Sequence, residues 1–479
     1  MIDFSGLTPS VKIAALHWPS PTSDSLQVAP TCSSIDCVSV APQLVDLANS
    51  CKLRVGCTSI KGKTCTLSTC CAPLALQCDL LRTGAEQKLG YVEGRGEHCL
   101  LRSGRSIKGD FTMINARAAV LRAKDAPFII ETVVWDEPRD DEVGVKIIAC
   151  GVCHSDWHCN TGDYPVEFPI LTGHEGVGVI DRVGANVTRF KVGDGVVLSW
   201  MPACGHCKNC VRGQGQLCER GAKLLDGGRA DGSSRVHTED GIPIKQFAFL
   251  GAFSEYVVVP EDGCIPVDQD LPLEKLPLIG CRLPTGWGAV NYTAKVPAGA
   301  DALVVGLGGV GMSALQGLRS AGATRIIAAD IVDKEKAAKQ FGATHFINVA
   351  NNDLLEQVLS IVGDGVDYAF DCIGKGEVQA ATVQALRVGG TATWVGVAPI
   401  HQKTVELNAW DMTLFQKSVL GTCYGGASPF ELAPKLISMY RAGLIQVEEL
   451  ITAEYTLDQI NEAFADMLAG KNICGVIRF

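Results

Sequence analysis

Long apolar runs are missing from this chain of 479 residues. The nearest candidate, residues 302–318, is interrupted repeatedly by glycine, so no segment reads as a bilayer-spanning helix of about 20 apolar residues. The opening Met-Ile-Asp-Phe-Ser-Gly has neither the basic start nor the apolar stretch of a secretory signal, and a cytoplasmic protein is expected. Positive charge is also short. Lys and Arg number 42 against 52 Asp and Glu, a net charge of −10. Nucleic acid and anionic membrane surfaces repel such a chain, so neither is expected as a partner. The length allows two or three domains, and 47% hydrophobic with 20% charged residues is ordinary for a globular protein.

Cysteine, by contrast, is abundant and unevenly placed. Of 21 cysteines, nine fall in residues 1–112: Cys32, Cys37, Cys51, Cys57, Cys65, Cys70, Cys71, Cys78 and Cys99. That stretch scatters Pro, Ser, Thr and Cys without helical or strand periodicity. It reads as an unassigned leader: a disordered extension, a small cysteine-rich module, or sequence translated upstream of the true start. The last is favoured, because dense patterning begins at Met113. Outside the leader, Cys150 and Cys372 lie in apolar segments and are expected to be small buried hydrophobes.

Cys204, Cys207, Cys210 and Cys218 form C-x2-C-x2-C-x7-C. Four thiolates on one short loop can close a tetrahedral shell around Zn²⁺, the requirement of a structural site. A disulfide framework is the alternative, but two-residue spacings suit metal and no secretory signal precedes them. Upstream, Cys153 and His174 offer two ligands of the type that catalytic zinc prefers, with no fourth residue nearby to close the shell.

Residues 113–280 are rich in valine, glycine and turns, which suggests an irregular, mostly β domain with strands at Ala116–Leu121 and Val143–Ala149. From Ala302 apolar strands alternate with helices. Strands are expected at Ala302–Val305, Arg325–Ala329, Val366–Phe370 and Thr391–Val397, and helices at Val310–Ser320 and Lys334–Phe341. This alternation implies a parallel sheet covered on both faces. Between the first strand and helix lies Gly306-Leu307-Gly308-Gly309-Val310-Gly311, a G-x-G-x-x-G turn. Its glycines permit a tight turn, close approach to a pyrophosphate and close helix–strand packing, and the helix N-terminus favours the phosphate charge. Asp330 ends the next strand. A carboxylate there accepts from both ribose hydroxyls and repels a 2′-phosphate, so NAD is expected rather than NADP.

With these motifs in order, the chain resembles the zinc-dependent medium-chain alcohol dehydrogenases. The resemblance rests on Gly173-His174-Glu175 followed by Gly178, Gly184 and Val187, on Gly151-Val152-Cys153-His154-Ser155-Asp156-Trp157-His158, on the four-cysteine loop and on the glycine turn. It covers residues 113–479. It implies an α/β plus β architecture: a GroES-like catalytic domain from 113–281 completed by 425–479, with a Rossmann NAD-binding domain at 282–424 inserted between them. It implies a third catalytic zinc ligand at Cys281, Glu175 behind the metal, and Asp156 holding the His174 imidazole. It also implies a proton path from an alcohol through Ser155 and the nicotinamide ribose to His158. Thr285 would pack on the nicotinamide, and the backbone at Val395 and Val397 would meet its carboxamide. Two zinc ions per chain and a homodimer or homotetramer follow from the same resemblance.

Several positions depart from the family pattern. His154 and Cys474 stand where phosphate-binding arginines are common, so a modest grip on NAD is expected. Arg282 follows Cys281 where small or neutral residues are usual. Tyr164 and Trp200 fall at positions that line the substrate channel, which implies an aromatic, narrow channel for primary aliphatic, allylic or benzylic alcohols. An S-(hydroxymethyl)thiol substrate is a weaker alternative, since enzymes for that adduct carry an acidic residue at the Tyr164 position. Residues Gly221–Thr238 and Phe249–Tyr256 are similar to nicotinoprotein alcohol dehydrogenases, which keep NAD bound and use an external electron acceptor.

Overall fold

The computed structural model describes residues 113–225 and 231–479. The leader and its nine cysteines, and part of the segment Gly221–Thr238, lie outside the described residues.

The first part of the chain builds β1 (Ile114–Leu121), β2 (Ile129–Trp135), β3 (Glu142–Val152), helix α1 (His154–Thr161), β4 (Ile170–Leu171), β5 (Gly176–Val183), β6 (Gly195–Leu198), β7 (Val236–Thr238), β8 (Pro243–Gln246), β9 (Tyr256–Pro260) and β10 (Cys264–Val267). Strands β1, β2, β7, β8 and β4 close a small barrel, and β10, β6, β5 and β3 run as neighbours in a second sheet, with β9 also on β3. Ala118 through Leu121 are fully buried in succession, so the end of β1 is covered on both faces, and Val143 and Val145 share a buried face of β3.

The chain then forms α2 (Arg282–Gly288), β11 (Asp301–Val305), α3 (Gly309–Ala321), β12 (Arg325–Asp330), α4 (Glu335–Phe341), β13 (His345–Asn348), α5 (Leu354–Val362), β14 (Val366–Asp371), α6 (Gly376–Gln384), β15 (Leu386–Trp394) and β16 (Ser418–Gly421). Among the described residues these strands make one sheet in the order β13-β12-β11-β14-β15-β16, every pair parallel. Numbered from β11 this is the 3-2-1-4-5-6 order of a dinucleotide fold, whose ligand crevice lies at the carboxyl ends of the strands where the order reverses. Leu303, Val304, Ile327, Ala328, Ala369 and Phe370 are fully buried, as a sheet covered on both faces requires.

Strand β17 (Ile451–Thr456), helix α7 (Ile460–Leu468) and β18 (Cys474–Arg478) follow. β18 returns to pair antiparallel with β3 through Gly475–Val152 and Val476–Gly151, so the end of the chain lies beside the residues that precede Cys153. Aromatic packing fixes this return. Phe464 of α7 stacks on Phe128 at 4.8 Å, meets Phe253 edge-on at 5.9 Å and reaches Trp157 of α1 at 5.6 Å.

Two expectations need correction. The strand expected at Thr391–Val397 runs from Leu386 to Trp394. In its first part Arg387, Val388 and Gly389 are all exposed, which hides the strand from an apolar-run search, and Val395 and Val397 lie in the loop beyond it. Cys150 is fully buried, but Cys372 is only partly so. It follows the last residue of β14 and borders the glycine turn, where its backbone would crowd a side chain at Gly306.

Truncating Phe464 removes three ring contacts at once. Phe464→Ala is expected to lower the stability of the β lobe by about 3–5 kcal/mol, read as a shift of the denaturant midpoint with zinc held constant.

Candidate active site

Three chain segments deliver the side chains of the first candidate donor group. Cys153 is the N-cap of α1, Cys281 is the N-cap of α2, and His174 with Glu175 fills the link between β4 and β5. The helix N-terminus favours a thiolate at Cys153, whereas its hydrogen bond to Cys153 and burial push the Cys281 thiol well above its ordinary range. Donor atoms of Cys153, His174, Glu175 and Cys281 all lie within 4.8 Å of one another, and all four residues are buried. The Nδ1 of His174 is 3.0 Å from Asp156 Oδ1, and the same oxygen accepts from the Gly173 backbone N–H at 2.7 Å. Asp156 is fully buried and therefore fixes both the ring and the turn that carries it. With Nδ1 engaged, Nε2 of His174 is left buried without a hydrogen-bond partner, as is Glu175 Oε2. Orphaned buried polar atoms are rare in folded proteins, and two thiols around an unpartnered imidazole nitrogen are the donor set of an alcohol-dehydrogenase zinc. The residues fit that ion.

The Cys281 thiol donates to Cys153, holding Cys153 toward the thiolate against the penalty of burial. Burial opposes charge on His174, while Asp156 and Cys153 hold its proton on, and the balance lies well above the ordinary imidazole range. Burial pushes the Glu175 carboxyl up to about 8, with Arg282 pulling it back toward the charged form.

The second donor group comprises Cys204, Cys207, Cys210 and Cys218, again with ligand atoms within 4.8 Å of one another. Backbone N–H groups of Cys204, Cys207 and Cys210 lie 3.4–3.5 Å from the sulfurs of Cys218, Cys204 and Cys207. Such bonds favour thiolates, and Cys207 is lowered to about 6, first by the Cys210 N–H. Among the described residues all twelve cysteines are free, so the disulfide alternative finds no support here. Gln216 in this loop donates to the Gly426 carbonyl at 3.1 Å and accepts from the Cys423 thiol at 3.4 Å.

At the glycine turn, Gly306 has φ +95°. A Cβ on Gly311 would fall 1.9 Å from the Gly306 carbonyl oxygen, whereas one on Gly308 would meet nothing within 4 Å. Gly311 thus permits close packing of α3, and Gly308 borders open space of the kind a diphosphate occupies. Asp330 accepts from the Leu307 N–H at 2.7 Å and the Val332 N–H at 2.9 Å. Lys334, which the sequence reading passed over, lies 3.6 Å from Asp330 and donates to the Leu307 carbonyl at 3.1 Å. His154 is held below the ordinary imidazole range, first by burial, which the Cys153 sulfur opposes and the charges of Arg282 and Lys334 reinforce. This end of the cleft is therefore more cationic than His154 and Cys474 alone suggest. Val395 donates its N–H to the Asp371 carbonyl at 2.9 Å, leaving its carbonyl as the group available to a ligand. Val397 is 51% exposed. The Thr285 hydroxyl is buried without a partner.

Ser155 and His158 lie on one face of α1. His158 Nδ1 is 3.0 Å from Asp163 Oδ2, and Asp163 also accepts from Thr161 at 2.6 Å. Asp163 was missed in the sequence, where a carboxylate after a helix-ending Gly-162 turn has no distinguishing signal. Tyr164 packs on His158 at 5.2 Å and on Phe247 at 6.0 Å, and Phe247 meets the His174 ring edge-on at 5.5 Å. Trp200 packs on Tyr424 at 5.5 Å. Phe247 and Tyr424 thus join the expected aromatic pair, and only the fold brings them there.

Comparison with known proteins agrees with this geometry. Residues 139–269 match the alcohol dehydrogenase GroES-like domain, and residues 309–439 match the zinc-binding dehydrogenase domain. The chain is 41% identical over 367 residues to an NDMA-dependent alcohol dehydrogenase of Amycolatopsis methanolica, covering 76% of this chain and 99% of that one. It is 39% identical over 372 residues to alcohol dehydrogenase B of Mycobacterium tuberculosis, covering 76% and 99%. Among solved structures, benzyl alcohol dehydrogenase from Acinetobacter calcoaceticus superposes with a TM-score of 0.72 at 33% identity, covering 76% and 99%. Shared sequence along nearly the whole length of these relatives, on the same fold, makes this chain a member of the zinc-dependent medium-chain alcohol dehydrogenase family.

Proposed function

We propose that the protein interconverts a primary alcohol and its aldehyde, with zinc held by Cys153, His174 and Cys281 and NAD seated on Gly306, Gly308, Gly309, Val310 and Gly311. The observation that carries this reading is the unpartnered Nε2 of buried His174 beside two thiols. Zinc, when bound there, makes an alcohol hydroxyl more acidic and polarises a carbonyl. The protein's own groups then handle the proton. Ser155 receives it at its hydroxyl, and His158 passes it to solvent. Because Asp163 accepts from Nδ1–H of His158, Nε2 is the ring nitrogen left to take the proton. Asp330 favours NAD, since its carboxylate repels a 2′-phosphate. A second zinc on Cys204, Cys207, Cys210 and Cys218 would brace the loop that reaches Gly426.

Tyr164, Phe247 and Trp200 give the pocket an aromatic, apolar wall, and no carboxylate stands at Tyr164 to meet a charged thiol adduct. Aliphatic, allylic or benzylic alcohols are the substrates this wall suits, and a similar protein of known structure is a benzyl alcohol dehydrogenase. The 41% identical NDMA-dependent relative favours a second reading, in which NAD stays bound and an external acceptor regenerates it.

Protein started at Met113 and given added NAD and benzyl alcohol should form NADH, seen by its absorbance. Absence of NADH with every alcohol in a panel, together with turnover on an artificial electron acceptor, would replace the first reading by the second. Cys153→Ser should abolish both activities and lower the zinc content from two ions to one, one for each donor group; an unchanged metal content would remove Cys153 from the ligand set. His158→Gln should slow alcohol oxidation by about 10²-fold near neutral pH, with the deficit shrinking as hydroxide replaces the imidazole at higher pH. A pH–rate profile parallel to that of the unaltered protein would exclude His158 from the proton path.

A further inference from the structure

Arg282 directly follows Cys281 and is only 4% exposed. A guanidinium at that depth requires compensation on each side. Its Nε donates to Glu175 Oε1 at 3.0 Å, and its Nη2 donates to the carbonyl of Val152, the residue before Cys153. The Cys474 thiol lies beside this side chain. The remaining direction leads to the glycine turn. A Cβ built on Gly309, the first residue of α3, would fall 2.5 Å from Arg282 Cδ, 2.6 Å from Cys474 Sγ and 3.5 Å from Arg282 Nη1. Gly309 is therefore the seat of this arginine, and the guanidinium lies under the end of the helix that would receive a diphosphate.

We propose that Arg282 is a positioning residue that joins the diphosphate turn to the metal-ligand cluster. It pins Glu175 through Nε and presents Nη1 at Gly309 to a dinucleotide phosphate. Cys474 supplies no cation at this point, and Arg282 reaches the same spot from α2. The pinning matters because Glu175 Oε2 has no partner and Glu175 offers a carboxylate oxygen to the donor group of Cys153, His174 and Cys281. Released from Arg282, the carboxylate is free to turn onto the metal and occupy the position a substrate oxygen needs. One side chain thus serves two ligands. The inference rests on the proposed zinc and NAD site.

The test uses the full chain, with NADH binding followed by fluorescence and the catalytic position loaded with Co²⁺ for absorbance. Arg282→Gln should raise the NADH dissociation constant by about tenfold, the usual scale for one charge-assisted contact, and should alter the cobalt spectrum as Glu175 joins the ligands. Adding Cys474→Arg to Arg282→Gln should recover NADH affinity, because the cation returns to the same place from β18. If Arg282→Gln alone fails to fold, Glu175→Gln with Arg282→Gln removes the buried pair together, and the weakening of NADH binding should persist. NADH affinity within about twofold of the unaltered protein, with an unchanged cobalt spectrum, would overturn the inference. Failure of the unaltered protein to bind NADH or cobalt at all would instead overturn the proposed function on which it rests.

Discussion

The site depends on keeping four ionisable donors together in a place water does not reach. Cys153, His174, Glu175 and Cys281 would repel, or strip one another of protons, if left to themselves. The surroundings prevent that with fixed charges and dipoles: two helix N-termini behind the thiols, Asp156 behind the imidazole, and Arg282 behind the carboxylate. Each partner is itself buried, so each pair is strong and also costly to break singly. This polar shell sets where β3, the β4–β5 link and α2 must meet. The barrel, the return of β18 and the aromatic cluster around Phe464 hold the three segments at that point.

Much of this was legible in the sequence because its signals are local. Parallel strands buried on both faces are continuous apolar runs, so β11, β12 and β14 stand out, and the four-cysteine loop and the glycine turn carry their spacing with them. The buried donors are different. Cys153 and His174 announce themselves only as ligand types, and Cys281 could be read only through resemblance, since a lone cysteine in Ile279-Gly280-Cys281 is otherwise a small apolar residue. Helix α1 was not readable as a helix, because His154-Ser155-Asp156-Trp157-His158 lacks an apolar stripe; its form comes from what Asp156, Trp157 and Cys159 pack against.

Arg282 marks the limit of reading from sequence. Arginine is normally a surface residue, and nothing beside Cys281 reveals that Glu175, more than a hundred residues earlier, lies within reach of it. Asp163, Lys334 and Phe247 escaped notice for the same reason. Each is an ordinary residue in an ordinary turn or strand end, made consequential by a neighbour that only the fold supplies. The aromatic contacts show the same effect: Phe247 meets Tyr164, and Tyr424 meets Trp200, from distant segments.

The two donor groups also differ in how far apart their members lie along the chain, and this bears on the order in which the protein assembles. Cys204 to Cys218 span one short loop, so their closure needs no other part of the fold and can accompany early local collapse. Cys153 and Cys281 are separated by most of the β lobe, and contacts of such long range form only once the intervening chain is organised. Closure of the first donor group thus belongs to the beginning of folding, and closure of the second to its end.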